Sequence, residues 1–194
     1  SAYYKLALAQ WWSQSDMDWE LIEDAQESLS KILNGSWYTT TKEKLLARGA
    51  SELLKQNYDE SEQLFLQLID FLPDEKEAWY GLGEVYYYGS NNYEKASEAY
   101  ERAIEIDPNF TIVDRRIYDI YDIQKKYDSG IMRATQLIEE YHESVWGSIF
   151  LGQMLMEKGD YLQARDIFES TIQHDNAHPI IYEKLNQIQN NVTS

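Results

Sequence analysis

Residues 79–108 read WYGLGEVYYYGSNNYEKASEAYERAIEIDP. Leu82, Gly83 and Tyr86 fall on one side of a first segment, and Ala96, Tyr100 and Ala103 on one side of a second. Offsets of three, four and seven return to the same face of a helix with about 3.6 residues per turn. Between the segments GSNN supplies turn residues, and Pro108 closes the unit because proline cannot continue a helix. The stretch predicts two helices joined by a tight turn.

The unit recurs in both directions. Tyr58, Tyr93, Tyr127 and Tyr161 lie 35, 34 and 34 residues apart. Three residues after each tyrosine comes Ser61, Ala96, Gly130 or Ala164, small enough to let two helix backbones approach. Four further on stand Phe65, Tyr100, Ala134 and Phe168, followed after three more by Leu68, Ala103, Leu137 and Thr171. Each tyrosine therefore opens an amphipathic helix. The helix before it is marked by Gly49, Gly83, Tyr118 and Gly152, and a glycine inside a helix costs about 1 kcal/mol against alanine unless close packing offsets it. Thr40 with Glu43 reads as a capping box, Asp74, Thr111 and Ser144 read as caps of other first helices, and Asn57, Asn92 and Asp160 as caps of second helices. A lone helix pair of this length cannot bury its apolar face, so neighbouring pairs must stack.

Trp79, Leu82, Gly83, Tyr86, Ala96, Tyr100 and Pro108 resemble the tetratricopeptide repeat signature, with tyrosine in place of phenylalanine and one extra residue in the turn. The unit 42–75 is similar through Gly49, Tyr58, Ser61, Phe65 and Pro73, and the unit 145–178 through Leu151, Gly152, Tyr161, Ala164 and Phe168. The unit 111–144 departs, with Tyr118 for the glycine and His142 for the proline, which implies looser packing there. The resemblance implies an all-α, right-handed superhelical solenoid of antiparallel helix pairs: about five pairs plus a C-terminal capping helix. Residues 1–41 form a degenerate leading pair, with helices near 2–14 and 18–33. Repeats follow at 42–75, 76–110, 111–144 and 145–178, and the capping helix at 179–191, all in a single domain. Ile181, Leu185 and Ile188 of that last helix are expected to face inward. The runs YKLALAQWW, KIL, TTKEKLLARGASELL and LPDEKEAWYGLGEVYYY are also similar to the tetratricopeptide regions of bacterial multidomain regulatory proteins, in which such a region commonly follows a protein kinase, a DNA-binding activator, a cyclase or a propeller module.

Composition limits the function. A formal charge of −17 repels phosphate, which argues against a nucleic-acid surface. The absence of cysteine excludes a disulfide framework and thiolate metal sites and agrees with a cytoplasmic location. No apolar run approaches the roughly 20 residues a membrane span requires. The start at Ser1 without an initiating Met, basic segment or apolar signal core reads as a boundary within a longer protein. The acidic run from Asp16 to Glu27 lacks the loop glycine of a calcium site and reads as a solvated helix face. His174 and His178 are four apart, yet Pro179 places them on a turn rather than on one continuous helix. No cofactor, metal or catalytic constellation is expected.

A partner surface is expected on the first helices, where similar repeat proteins line a concave groove with offsets 0, 4, 7 and 8. That stripe comprises Leu46, Ala50 and Leu53; Tyr80, Glu84, Tyr87 and Tyr88; Arg115, Asp119 and Asp122; and Trp146, Ile149 and Gln153. Tyrosine and tryptophan offer contact area at low side-chain entropy cost, and arginine can clamp a carboxylate with two bonds. The bland alternative is that these rings serve repeat stacking and the charges pair with one another. Tyr3, Tyr4, Leu6, Leu8, Trp11 and Trp12 make the leading helix apolar nearly all round, which calls for cover by an upstream domain or a second copy of the chain. The reading is a non-catalytic protein–protein interaction scaffold holding a peptide or protein segment. The alternative is a sensor segment that couples partner or ligand binding to a fused kinase, transcriptional or cyclase-type effector.

Overall fold

The computed structural model describes residues 19–34, 40–110, 112–140, 145–173 and 178–192. Among these the chain forms ten α-helices and no strand: α1 (Trp19–Asn34), α2 (Thr41–Leu54), α3 (Tyr58–Phe71), α4 (Lys76–Gly89), α5 (Tyr93–Ile106), α6 (Ile112–Ile123), α7 (Tyr127–Glu140), α8 (Val145–Lys158), α9 (Tyr161–Gln173) and α10 (Pro179–Val192). The helix expected at 2–14, with Tyr3, Tyr4, Leu8, Trp11 and Trp12, lies outside the described residues. Two compact units divide the chain, residues 1–114 and 115–194. In the first, α1 packs on α2, α2 on α3, α3 on α4 and α4 on α5, while α2 also meets α4. In the second, α7 packs on α8, α8 on α9 and α9 on α10, and α8 also meets α10. Contacts both within a pair and between successive first helices define stacked helix pairs.

The turns inside the pairs share one backbone device. Gln56, Asn91, Lys125 and Gly159 all have positive φ, at 63°, 50°, 54° and 94°, and each lies two residues before its repeat tyrosine. In three of the four the Schellman pattern closes the preceding helix. Gln56 N donates to Leu53 O and Asn57 N to Glu52 O, Lys125 N to Asp122 O and Lys126 N to Tyr121 O, and Gly159 N to Met156 O and Asp160 N to Leu155 O, all at 2.8–2.9 Å. The extra residue at Ser90 stretches the remaining turn, where Asn92 N reaches Tyr86 O at 3.0 Å.

Caps follow the sequence in part. Thr40 Oγ1 accepts from Glu43 N at 3.2 Å while Glu43 Oε2 accepts from Thr40 N at 2.9 Å, completing the capping box. Asn92 accepts from Lys95 N at 3.1 Å. Asn57 does not cap its helix, because its amide donates instead to Glu52 Oε2 at 2.7 Å. Asp74 is displaced from the cap by Glu75 and bridges Arg102 at 3.3 Å. Thr111 and Ser144 lie outside the described residues.

The glycines of the first helices receive rings from the second. An ideal Cβ on Gly83 would stand 2.3 Å from Tyr100 Cε1, one on Gly152 2.3 Å from Phe168 Cζ, and one on Gly49 2.8 Å from Phe65 Cε1. Phe65, Tyr100 and Phe168 are wholly buried. In the unit with Tyr118, large and small have exchanged places relative to the other units, Tyr118 standing where they have glycine and Ala134 where they have a ring. Buried Tyr118 projects from the first helix toward a core shared with Ala134, Phe150 and Met154, and its ring stacks on Phe150 at 4.0 Å. In the last helix Ile181 and Ile188 are buried and Leu185 packs against the same core.

Polar ties join successive turns of the first unit. Lys42 at the start of α2 bridges buried Glu75, and Lys76 at the start of α4 bridges Asp107 while its ammonium lies 4.8 Å from the Phe110 ring centroid. Lys76 holds the Asp107 carboxyl below its usual range, assisted by a bond from Asn109 N. Burial, followed by the neighbouring Glu75 carboxylate, pushes Glu77 up to about 7.

Candidate functional site

The expected stripe divides between interior and surface. Leu46, Ala50, Leu53, Tyr80, Glu84 and Ile149 are buried, so their side chains belong to the packing rather than to an open face. Tyr80 is held between Tyr100 and Phe110, with ring centroids 5.8 and 5.7 Å away. Glu84, 1% exposed, accepts a 2.5 Å hydrogen bond from the Tyr100 hydroxyl. That hydrogen bond supplies one partner that a buried carboxylate requires, and it fixes the ring that fills the Gly83 gap. The sequence carried a signal for this role, since Glu84 interrupts an otherwise apolar run from Trp79 to Tyr88.

Tyr87 and Tyr88 reach the surface at the end of α4. Their rings meet edge to face at 4.9 Å, and Tyr87 meets Tyr93 of α5 at 5.6 Å. Tyr88 is 38% exposed and Tyr87 half-buried. On the opposite flank, the Tyr86 hydroxyl donates to Glu62 at 2.9 Å and Lys95 lies 5.1 Å from the Tyr86 ring centroid. Burial, with Glu62 second, pushes the Tyr86 hydroxyl up to about 12, so it remains a donor at neutral pH.

In the second unit Arg115, Asp119 and Gln153 are half-buried and Asp122 is exposed. Asp119 accepts from Arg116 at 3.4 Å. Trp146 is 43% exposed, stacks on Phe150 at 5.9 Å and lies 5.0 Å from the His178 ring. His178 therefore has an aromatic neighbour, while His174 lies outside the described residues. Among the described residues no group of three or more His, Cys, Asp or Glu is placed to hold a metal ion, and no helix is long and apolar enough to cross a membrane.

Periodicity located the exposed rings of the first helices but missed the exposed apolar side chains of the second. Phe71 is 65% exposed, and Met132 and Leu162 are exposed to similar extents. All three lie on second helices, where a single apolar residue on a polar face leaves no periodic signal.

Stacked helix pairs with rings of one helix seated on glycines of its partner define a helical-repeat protein. Residues 46–109 match the family model described as tetratricopeptide repeat. The chain is 23% identical over 182 residues to superkiller protein 3 of Schizosaccharomyces pombe, an alignment covering 86% of this chain and 12% of that protein. The chain thus spans about an eighth of the curated relative's length. A thermophilic tetratricopeptide repeat protein of Thermus thermophilus is similar with a TM-score of 0.67 and 11% identity, covering 97% of both chains. One from Parabacteroides merdae gives 0.63 and 15%, covering 97% of this chain and 73% of that one. The Naa15/Naa10 structure bound to HypK-THB gives 0.56 and 11% over 89% of this chain and 25% of that chain. The described helices have the tetratricopeptide-repeat fold, and the family's sequence signature lies in residues 46–109.

Proposed function

We propose that this chain is a non-catalytic protein–protein interaction scaffold, part of a larger protein, that holds a protein or peptide segment against the exposed residues of its first helices. Proteins of this fold generally mediate protein–protein contacts. The observation that carries the reading is the partition of the stripe. Packing takes Leu46, Ala50, Tyr80, Glu84 and Ile149, yet leaves Tyr88 and Trp146 at 38% and 43% exposure. Large rings with polar edges are the side chains that most often anchor an interface, because they bury area while losing few rotamers.

Within the second unit Arg115, Asp119 and Asp122 add charge on α6, where they would help select a bound segment rather than supply most of its affinity. The test is cross-linking affinity capture with the chain and with Tyr88→Ala and Trp146→Ala variants shown by circular dichroism to be folded. Loss of a reproducible partner from either variant supports the reading. Capture of identical partners in equal amounts by all three proteins would refute the placement on these helices.

A further inference from the structure

We propose that the end of α4 is a docking point for a lysine- or arginine-bearing peptide segment, with Tyr87 and Tyr88 as the platform for its cationic side chains. This rests on the interaction role assigned above and specifies the partner's chemistry. Four observations converge on a positive charge.

The last turn of α4 contains no basic residue, so although Tyr86 O accepts from Asn92 N and Ser90 Oγ, no cation in that turn offsets the partial negative charge of the helix end. Tyrosine faces carry negative π density, and Tyr88 keeps 38% of its surface open beside Tyr87. On the opposite flank of the same helix end, Tyr86 receives the Lys95 ammonium on its ring at 5.1 Å from the centroid, which shows a tyrosine face of α4 taking a cation. Two exposed carboxylates follow residues that touch this helix end: Asp59 comes after Tyr58, which lies against Gly89, and Glu94 after Tyr93, which touches Tyr87.

The surrounding charge reinforces the choice of partner. Residues 1–114 hold 22 of the chain's 34 carboxylates but only nine of its 17 lysines and arginines. Lys42, Arg48, Lys55, Lys76 and Arg102 each already bridge a carboxylate. An acidic segment would meet like charge on approach, whereas a basic one is drawn in by the field of the unit and held by rings and helix end together.

The experiment is fluorescence anisotropy of the 194-residue chain with labelled peptides carrying arginine at every second, third or fourth position. Matched peptides carry citrulline or glutamate instead. At low salt the citrulline peptide should bind about tenfold more weakly than its arginine counterpart and the glutamate peptide more weakly still. Tyr88→Ala should weaken arginine-peptide binding about fivefold, while Tyr88→Phe, which keeps the π face, should stay within about twofold of the unsubstituted chain. The Asp59→Asn, Glu94→Gln double variant, altered only at exposed positions, should weaken it about threefold. Failure of every arginine peptide to bind, or Tyr88→Ala binding as tightly as the unsubstituted chain, overturns the proposal. If citrulline peptides bind as tightly as arginine ones and Tyr88→Ala still weakens both, the cationic class is wrong while the interaction role of this helix end stands.

Discussion

Replacing Gly83 with alanine should destabilise the fold even though alanine is the better helix former. The added Cβ would stand 2.3 Å from Tyr100 Cε1 and 2.5 Å from Cδ1, and a carbon–carbon contact relaxes only near 3.5–4.0 Å. The ring must therefore retreat by more than about 1 Å, but it is wholly buried and its hydroxyl is anchored to Glu84 at 2.5 Å. Overpacking of this kind costs about 1–3 kcal/mol, and the anchoring places it near the upper end. Against it stands the helix-propensity gain of about 1 kcal/mol. The expected net loss is about 2 kcal/mol.

The same reasoning fixes a coupling. Tyr100→Ala alone should cost about 3–5 kcal/mol through its cavity and the lost donor to Glu84. With the ring gone the Cβ meets no obstacle, so Gly83→Ala in that background should stabilise by about 1 kcal/mol. The sign reversal implies a coupling of about 3 kcal/mol in a double-mutant cycle, read from urea unfolding followed by far-ultraviolet circular dichroism. Tyr100→Leu provides a milder second cycle with the coupling reduced in proportion. If both cycles are additive within about 0.5 kcal/mol, the ring-on-glycine contact is not what holds α4 against α5.

Lys125→Gly should stabilise by about 0.5–1 kcal/mol in the same unfolding assay, because lysine there adopts φ 54°, while Asn91→Gly should change less since asparagine tolerates that region. Gly159→Ala should destabilise by about 1 kcal/mol through backbone strain alone, since no atom lies within 4 Å of the added Cβ. Thr40→Ala should cost about 1 kcal/mol by opening the capping box at the start of α2. Glu77 has its pKa raised in the fold, so the folded state binds its proton more tightly than the unfolded chain, and stability from this group falls as pH rises from about 4.5 to about 7. Glu77→Gln should therefore gain about 1 kcal/mol at pH about 8, after allowance for solvent screening, and nothing at pH about 4.5. A gain of equal size at both pH values would show that charge is not the cause.

The helices and their pairing were legible because a period near 34 residues states the fold many times over. The tyrosine that opens each second helix, the small residue after it and the ring four further on name the same contact in three units out of four. The stripe was less legible for a geometric reason. Helical periodicity shows that Leu46, Ala50 and Leu53 share a face, but a first helix has two flanks to bury, one against its own partner and one against the next first helix. Both flanks are apolar and both recur at the same spacing. Tyr80 and Glu84 consequently looked like surface on α4 when Tyr100 and Phe110 enclose them. Caps depended on competition between near neighbours: Asn57 had Glu52 within reach and Asp74 had Arg102, and each formed that bond in place of a cap.

Tyr118 and Ala134 show what the repeat conserves physically. In the other units the first helix supplies nothing at this position and the second fills the gap with Phe65, Tyr100 or Phe168. Here the first helix supplies the ring and the second withdraws to alanine, so the two positions remain one large and one small although both letters have changed. Close packing responds to the volume shared by two facing positions, so a paired exchange that preserves it is tolerated where either change alone would leave a void or a clash. The interior of a helical repeat is therefore constrained as pairs rather than as residues. Tyr88 and Trp146 touch Tyr87 and Phe150 with His178 respectively, yet keep 38% and 43% of their surface exposed, so packing constrains their size less tightly. If the proposed scaffold role holds, these are the positions at which side-chain identity would follow the partner, because fewer neighbours dictate it.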